Sequence, residues 1–153
     1  MQKDLKAITG NKKMKKVLVL GTDNACRSPL ITALMRHISF NRIDVYTAGL
    51  TAKKIDKRTV KILREIGIDI SNETAHSMNE YLHTKFDIII TTSEDARGKA
   101  DAFLNSTTKI HKEFDDPRLA QGSKYEKENA FRELRDEVNE WLNEFIVRHR
   151  LIQ

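Results

Sequence analysis

A single cysteine, Cys26, rules out an internal disulfide and any cysteine-based zinc cluster in this chain of 153 residues. Apolar runs are short: none approaches the roughly 18 residues that a membrane-spanning helix needs. The first sixteen residues, Met1 to Lys16, are polar and lysine-rich, with no apolar core of a secretory signal. Cytoplasmic residence is the resulting expectation. Aromatic residues make up only 7% and do not interleave with the basic clusters, so a stacking surface for nucleic acid is not expected. What remains is an ordinary globular balance, 39% hydrophobic with 32% charged, in a length that suits one domain with a real core.

The net charge of +5 is concentrated in two places. Lys3, Lys6, Lys12, Lys13, Lys15 and Lys16 open the chain; Lys53, Lys54, Lys57, Arg58, Lys61 and Arg64 form a second cluster. We read these as a solvated tail and the exposed face of a helix, since no nucleic-acid-binding module accompanies them. Residues 1–14 are expected to form a flexible basic tail, and residues 15–150 a single domain.

Apolar periodicity orders that domain. Strands are expected at 16–20, 43–47, 86–91 and 109–112, and helices at about 28–40, 56–66, 94–103 and 125–148, with a short one at 76–82. In the last long helix Phe131, Leu134, Val138, Trp141 or Leu142 and Phe145 recur every three or four residues, a core stripe. Strands alternating with helices imply a three-layer α/β/α fold around a four-stranded parallel sheet. Ligands of such sheets sit beyond the carboxyl ends of the strands.

Residues 17–29 carry the chemistry. Val17 to Leu20 read as a buried strand, a polar loop follows, and Ser28-Pro29 open a helix as N-cap and first helical residue. Such a unit aims backbone N–H groups and a positive helix end at one point, where Arg27 adds a planar cation. The candidate anion-binding set is therefore Thr22, Asp23, Asn24, Ala25, Cys26, Arg27 and Ser28. A thiol beside a helix start and an arginine is expected to have thiolate character, which makes Cys26 a candidate nucleophile. None of the five histidines is spaced from another like a pair of metal ligands, and neither a metal nor a cofactor is expected.

Asn24-Ala25-Cys26-Arg27-Ser28-Pro29 resembles the loop of the low-molecular-weight protein tyrosine phosphatases and of the thioredoxin-coupled arsenate reductases that share their fold. Ala48-Gly49-Leu50, Leu63 to Ser71, Phe86 to Thr91, Phe114-Asp115-Asp116-Pro117 and Phe131 to Val138 resemble further stretches of that family in the same order. The resemblance implies that Arg27 grips phosphoryl oxygens, that Asn24 holds the loop's unusual backbone, and that Asp116 occupies the general-acid position. Ser28 matches the hydroxyl that stabilises the nucleophile.

It also exposes departures at six positions. Gly21 stands in the nucleophile's position. Asp23 replaces a usual glycine, a carboxylate in an anion site unless it turns outward or pairs with Arg27. Ser93 and Ala100 occupy the places of the reductases' two relay cysteines. Arg118 and Leu119 stand where a tyrosine pair often follows Asp-Pro. The resemblance thus implies a family member that is catalytically inactive and keeps a site for a phosphate-like anion or phosphorylated peptide. Two alternatives stay open: an active enzyme with a displaced nucleophile (Cys26, or water activated by Asp116), and an interaction module whose loop is merely structural.

Overall fold

In the computed structural model, which describes residues 13–106 and 108–152, the first strand, β1 (Lys16–Gly21), lies inside the sheet. Its side chains alternate between two apolar layers, as the period of two demands. Val17 and Val19 face one core with Leu30, Ile31, Leu34, Ile62, Phe131 and Val138. Leu18 and Leu20 face the other with Ile89, Phe86, Phe103 and Met78. A strand buried on both faces is the expected signature of a parallel sheet covered above and below.

The remaining strands are β2 (Asp44–Gly49), β3 (Ile88–Thr91) and β4 (Lys109–His111). All pair in parallel, in the order β2-β1-β3-β4. Register places Gly21 beside Gly49 and Leu20 beside Thr91, so the carboxyl ends of the strands come out together. The third strand is shorter than the sequence implies: Phe86 and Asp87 precede it, with the Phe86 N–H on Ser106 Oγ at 2.8 Å.

One face carries α1 (Arg27–Ile38), α2 (Lys57–Arg64) and the long α4 (Lys124–Arg148). Asp56 caps α2 by accepting from the Arg58 N–H, and Ser123 with Glu126 forms a reciprocal capping box on α4. Glu65 receives Arg132 at 2.7 Å and Arg135 at 3.0 Å, tying the end of α2 to α4. The Arg132 hydrogen bonds hold that carboxyl down at about 2. Lys53, Lys54, Lys57, Lys61 and Arg64 are exposed.

The opposite face is covered by shorter pieces. These are a 3-10 turn at Met78–Tyr81, the single-turn helix α3 (Glu94–Arg97) and a second 3-10 turn at Ala100–Ala102. The expected helix over 94–103 is therefore broken. Gly98 caps α3, and the chain restarts as a tighter turn that buries Ala100 and Phe103. No described helix is long and apolar enough to cross a membrane. The expected basic tail lies almost wholly outside the described residues; of it, Lys13 and Met14 are exposed.

Candidate functional site

The loop leaving β1 is zipped to the segment that follows β2. Gly21, Thr22, Asp23 and Ala25 accept, through their carbonyls, from the N–H groups of Leu50, Thr51, Lys53 and Asp56, at 2.8–3.2 Å. Among the described residues, the backbone N–H groups of Asn24, Cys26, Arg27 and Ser28 meet no protein acceptor. Buried backbone donors without partners are rare, and Asn24, Cys26 and Ser28 are nearly inaccessible. A row of such donors leading into a helix start is what an anion requires.

Asn24 holds this geometry. Its φ of 57° turns the loop in the left-handed region, which asparagine tolerates. Its side-chain amide donates to Ser28 Oγ at 2.9 Å and Thr47 Oγ1 at 2.7 Å, while its oxygen accepts from the His76 N–H at 2.8 Å. Ser28 is not the helix cap expected from the sequence. The helix starts two residues earlier, with Cys26 at the cap position and no side-chain cap bond, and Ser28 Oγ is turned inward to Asn24. On the other side Thr22 Oγ1 lies 2.8 Å from Asp95 Oδ1 and 2.9 Å from Ser93 Oγ, and Ser93 donates to Asp95 at 2.6 Å.

Asp23 neither turns outward nor pairs with Arg27. Its carboxylate accepts from Arg118 Nη1 at 2.8 Å and from the Ala25 N–H at 3.2 Å. Arg118 also forks onto Asp116, with Nη2 to Oδ2 at 2.8 Å and Nε to Oδ1 at 3.0 Å. One guanidinium thus joins the loop to the acid turn, Asp116 capping a 3-10 turn at Pro117–Leu119. The sequence offered a signal for this partner: a carboxylate in a tight loop demands a cation, and Arg118 is the cation beside Asp-Pro.

Arg27 donates from Nη1 to the Phe114 carbonyl at 3.1 Å and lies 3.8 Å from Asp116. Burial works against ionisation of Asp116, but the Arg118 hydrogen bonds and charge outweigh it and hold this carboxyl below its usual range. Asp116 is therefore a carboxylate at neutral pH.

The amino-acid sequence matches a known family. The description "low molecular weight phosphotyrosine protein phosphatase" fits residues 16–151.

This chain belongs to the low molecular weight phosphotyrosine protein phosphatase family.

Within the family it resembles the arsenate reductase of Halalkalibacterium halodurans, 34% identical over 135 residues that cover 88% of this chain and 96% of that protein. The arsenate reductase of Bacillus subtilis is also 34% identical, over 131 residues, 86% of this chain and 94% of the relative. In fold it matches an arsenate reductase in its phosphate-binding state, with a TM-score of 0.74 at 21% identity over 88% and 98% of the two chains. A low molecular weight protein tyrosine phosphatase from T. tengcongensis gives 0.69 at 20% identity, over 88% and 99%.

Two features of the loop bear on its chemistry. A side chain at Gly21 would enter occupied space, its Cβ falling 2.9 Å from Ser28 Oγ and 3.2 Å from Thr92 Oγ1. The Cys26 side chain is buried in the core, and that burial works against the expected thiolate: it outweighs the Thr59 hydrogen bond and the Arg118 charge and pushes the thiol up to about 12. Because the reactive form of a thiol is the ionised one, native Cys26 gains reactivity only as pH nears that value. At pH 8 its modification by a disulfide reagent should run on the order of 10³-fold slower in the native protein than in denaturant. Stopped-flow labelling with and without guanidinium measures the ratio.

Proposed function

We propose that this family member has lost covalent phosphoryl chemistry and uses the loop at Thr22–Ser28 to hold a phosphate-like anion, free or carried on a peptide, in the cytoplasm. The observation that carries the reading is Gly21. It occupies the nucleophile's position, its side-chain space is filled by Ser28 Oγ and Thr92 Oγ1, and beside it lie N–H groups that no atom of the described residues engages. The buried, protonated thiol of Cys26 and the ionised Asp116 support the same reading. Arg27 would be the cation that leaves Phe114 to meet the anion.

The test couples turnover to binding. p-Nitrophenyl phosphate should not be hydrolysed above background. Inorganic phosphate at about ten times its Kd should add about 1.4 kcal/mol of stability, a rise in Tm of about 4 °C for a domain of this size. Arg27→Ala should abolish that rise. Turnover that Cys26→Ser removes would establish a displaced nucleophile instead. A wild-type Tm that phosphate leaves unchanged would make the loop structural.

A further inference from the structure

Glu94, His111 and Glu113 come from the first residue of α3, the last residue of β4 and the strand's continuation toward the acid turn. Nothing in their spacing joins them; the sheet does, by bringing the end of β4 under the start of α3. One ligand atom from each lies within 4.8 Å of the other two.

The imidazole is the informative member. Its Nδ1 is held by Thr91 Oγ1 at 2.8 Å, which fixes the ring and leaves Nε2 pointing away. Nε2 is buried and makes no hydrogen bond, although Glu94 Oε2 lies 3.5 Å away and Glu113 Oε2 3.9 Å away. A buried ring nitrogen without a hydrogen-bond partner is costly unless it meets a charge. Here it faces two carboxylates at separations close to the edge of a coordination tetrahedron, about 3.4 Å for ligands at about 2.1 Å from a metal.

We propose that Glu94, His111 and Glu113 form a binding site for a divalent ion of the Zn2+ class. The donor set is one neutral imidazole and two carboxylates, which cancels the charge of the ion and suits a borderline metal. Thr91 plays the part of the outer partner that orients a metal-bound histidine. Glu94 and Glu113 are largely exposed, so they are free to close on an ion, and the solvent side leaves a fourth position for water. The ion clips two segments that also touch the candidate loop. Beyond Glu94, Asp95 reaches Thr22; beyond Glu113, the Phe114 carbonyl holds Arg27. The site stands independently of the proposed function.

Titration of the full chain with Co2+, followed by its visible absorption and displaced by Zn2+, tests the proposal. We expect one saturable equivalent with micromolar affinity and the strong bands of a low-symmetry, four- or five-coordinate cobalt. His111→Gln should abolish them, and Glu113→Gln, an exposed change that leaves the fold intact, should weaken binding roughly tenfold or more. His76→Gln, which removes a different histidine–carboxylate pair, His76 with Glu80 at 3.0 Å, should leave binding unchanged. In nitrogen NMR the Nε2 resonance of His111 should move on adding Zn2+ while Nδ1 keeps its proton. Absence of saturable binding at 100-fold lower affinity than micromolar, or binding that survives His111→Gln, overturns the site.

Discussion

Gly49→Ala should be among the most damaging single-methyl additions to this fold. The new Cβ would fall 2.6 Å from the Asn24 nitrogen and 2.7 Å from the Asp23 carbonyl carbon, and would also strike the Thr51 carbonyl oxygen. These are backbone atoms, so no rotamer change relieves the contact. The strand register forbids retreat as well, because Gly49 sits beside Gly21 at the point where the loop leaves the sheet. We expect a loss of about 3 kcal/mol, the upper part of the range for overpacking a tight site, and a fall in Tm of about 9 °C. Differential scanning calorimetry reads both. Gly67→Ala is the control, since a Cβ there meets nothing within 4 Å although the φ of 83° still carries a cost. A fall no larger than that of the control would mean that loop and strand end are not locked together.

A cysteine placed at position 21 should give phosphatase chemistry only in combination. Gly21→Cys alone places its Cβ against Ser28 Oγ at 2.9 Å and leaves the Asp23 carboxylate in the loop. Gly21→Cys with Asp23→Gly removes that charge, and Ser28 Oγ has only a few tenths of an ångström to yield. For the double variant we expect p-nitrophenyl phosphate turnover on the order of 10³-fold above the parent chain, a fraction of what a lost nucleophile costs in an intact site. The rate should increase toward acid pH, because Asp116 is held below the usual carboxylate range and donates a proton only once protonated. Adding Arg27→Ala should return the rate to background. A folded double variant without turnover would show that Arg27 stays committed to Phe114 and that the frame for phosphoryl transfer has gone along with the thiol.

Most of the architecture was legible in the chain. Val17 to Leu20 and Ile88 to Ile90 are apolar without interruption because both faces of their strands are covered, and the stripe from Phe131 to Phe145 has the period of a helix lying on a sheet. The break in the helix after Arg97 was not, since Gly98 is only mildly unfavourable in a helix and the burial of Phe103 decides the matter. Side-chain roles at the loop were harder still. Ser28 has the composition of a cap, but Asn24 competes for its hydroxyl from four residues away, and local preference yields to that bond. Cys26 carries the neighbours of a reactive thiol in sequence; it is silenced by a core assembled from remote helices, which no local pattern reports. Arg118 and the His111 cluster join partners 95 and 17 residues apart, and only the parallel register makes them neighbours.

The guanidinium shared by Asp23 and Asp116 imposes a direction on how such a loop can change. An arginine at position 118 costs little on its own, since Asp116 offers it a fork and a quarter of the side chain remains in water. An aspartate at position 23 without that arginine would bury an unpaired carboxylate, a penalty of about 3–5 kcal/mol. The cheap route therefore installs the arginine first and the aspartate second, and only the aspartate is then free to leave. Once both are present, the arginine is the harder residue to replace: a small ratchet, set by desolvation, at the rim of the loop.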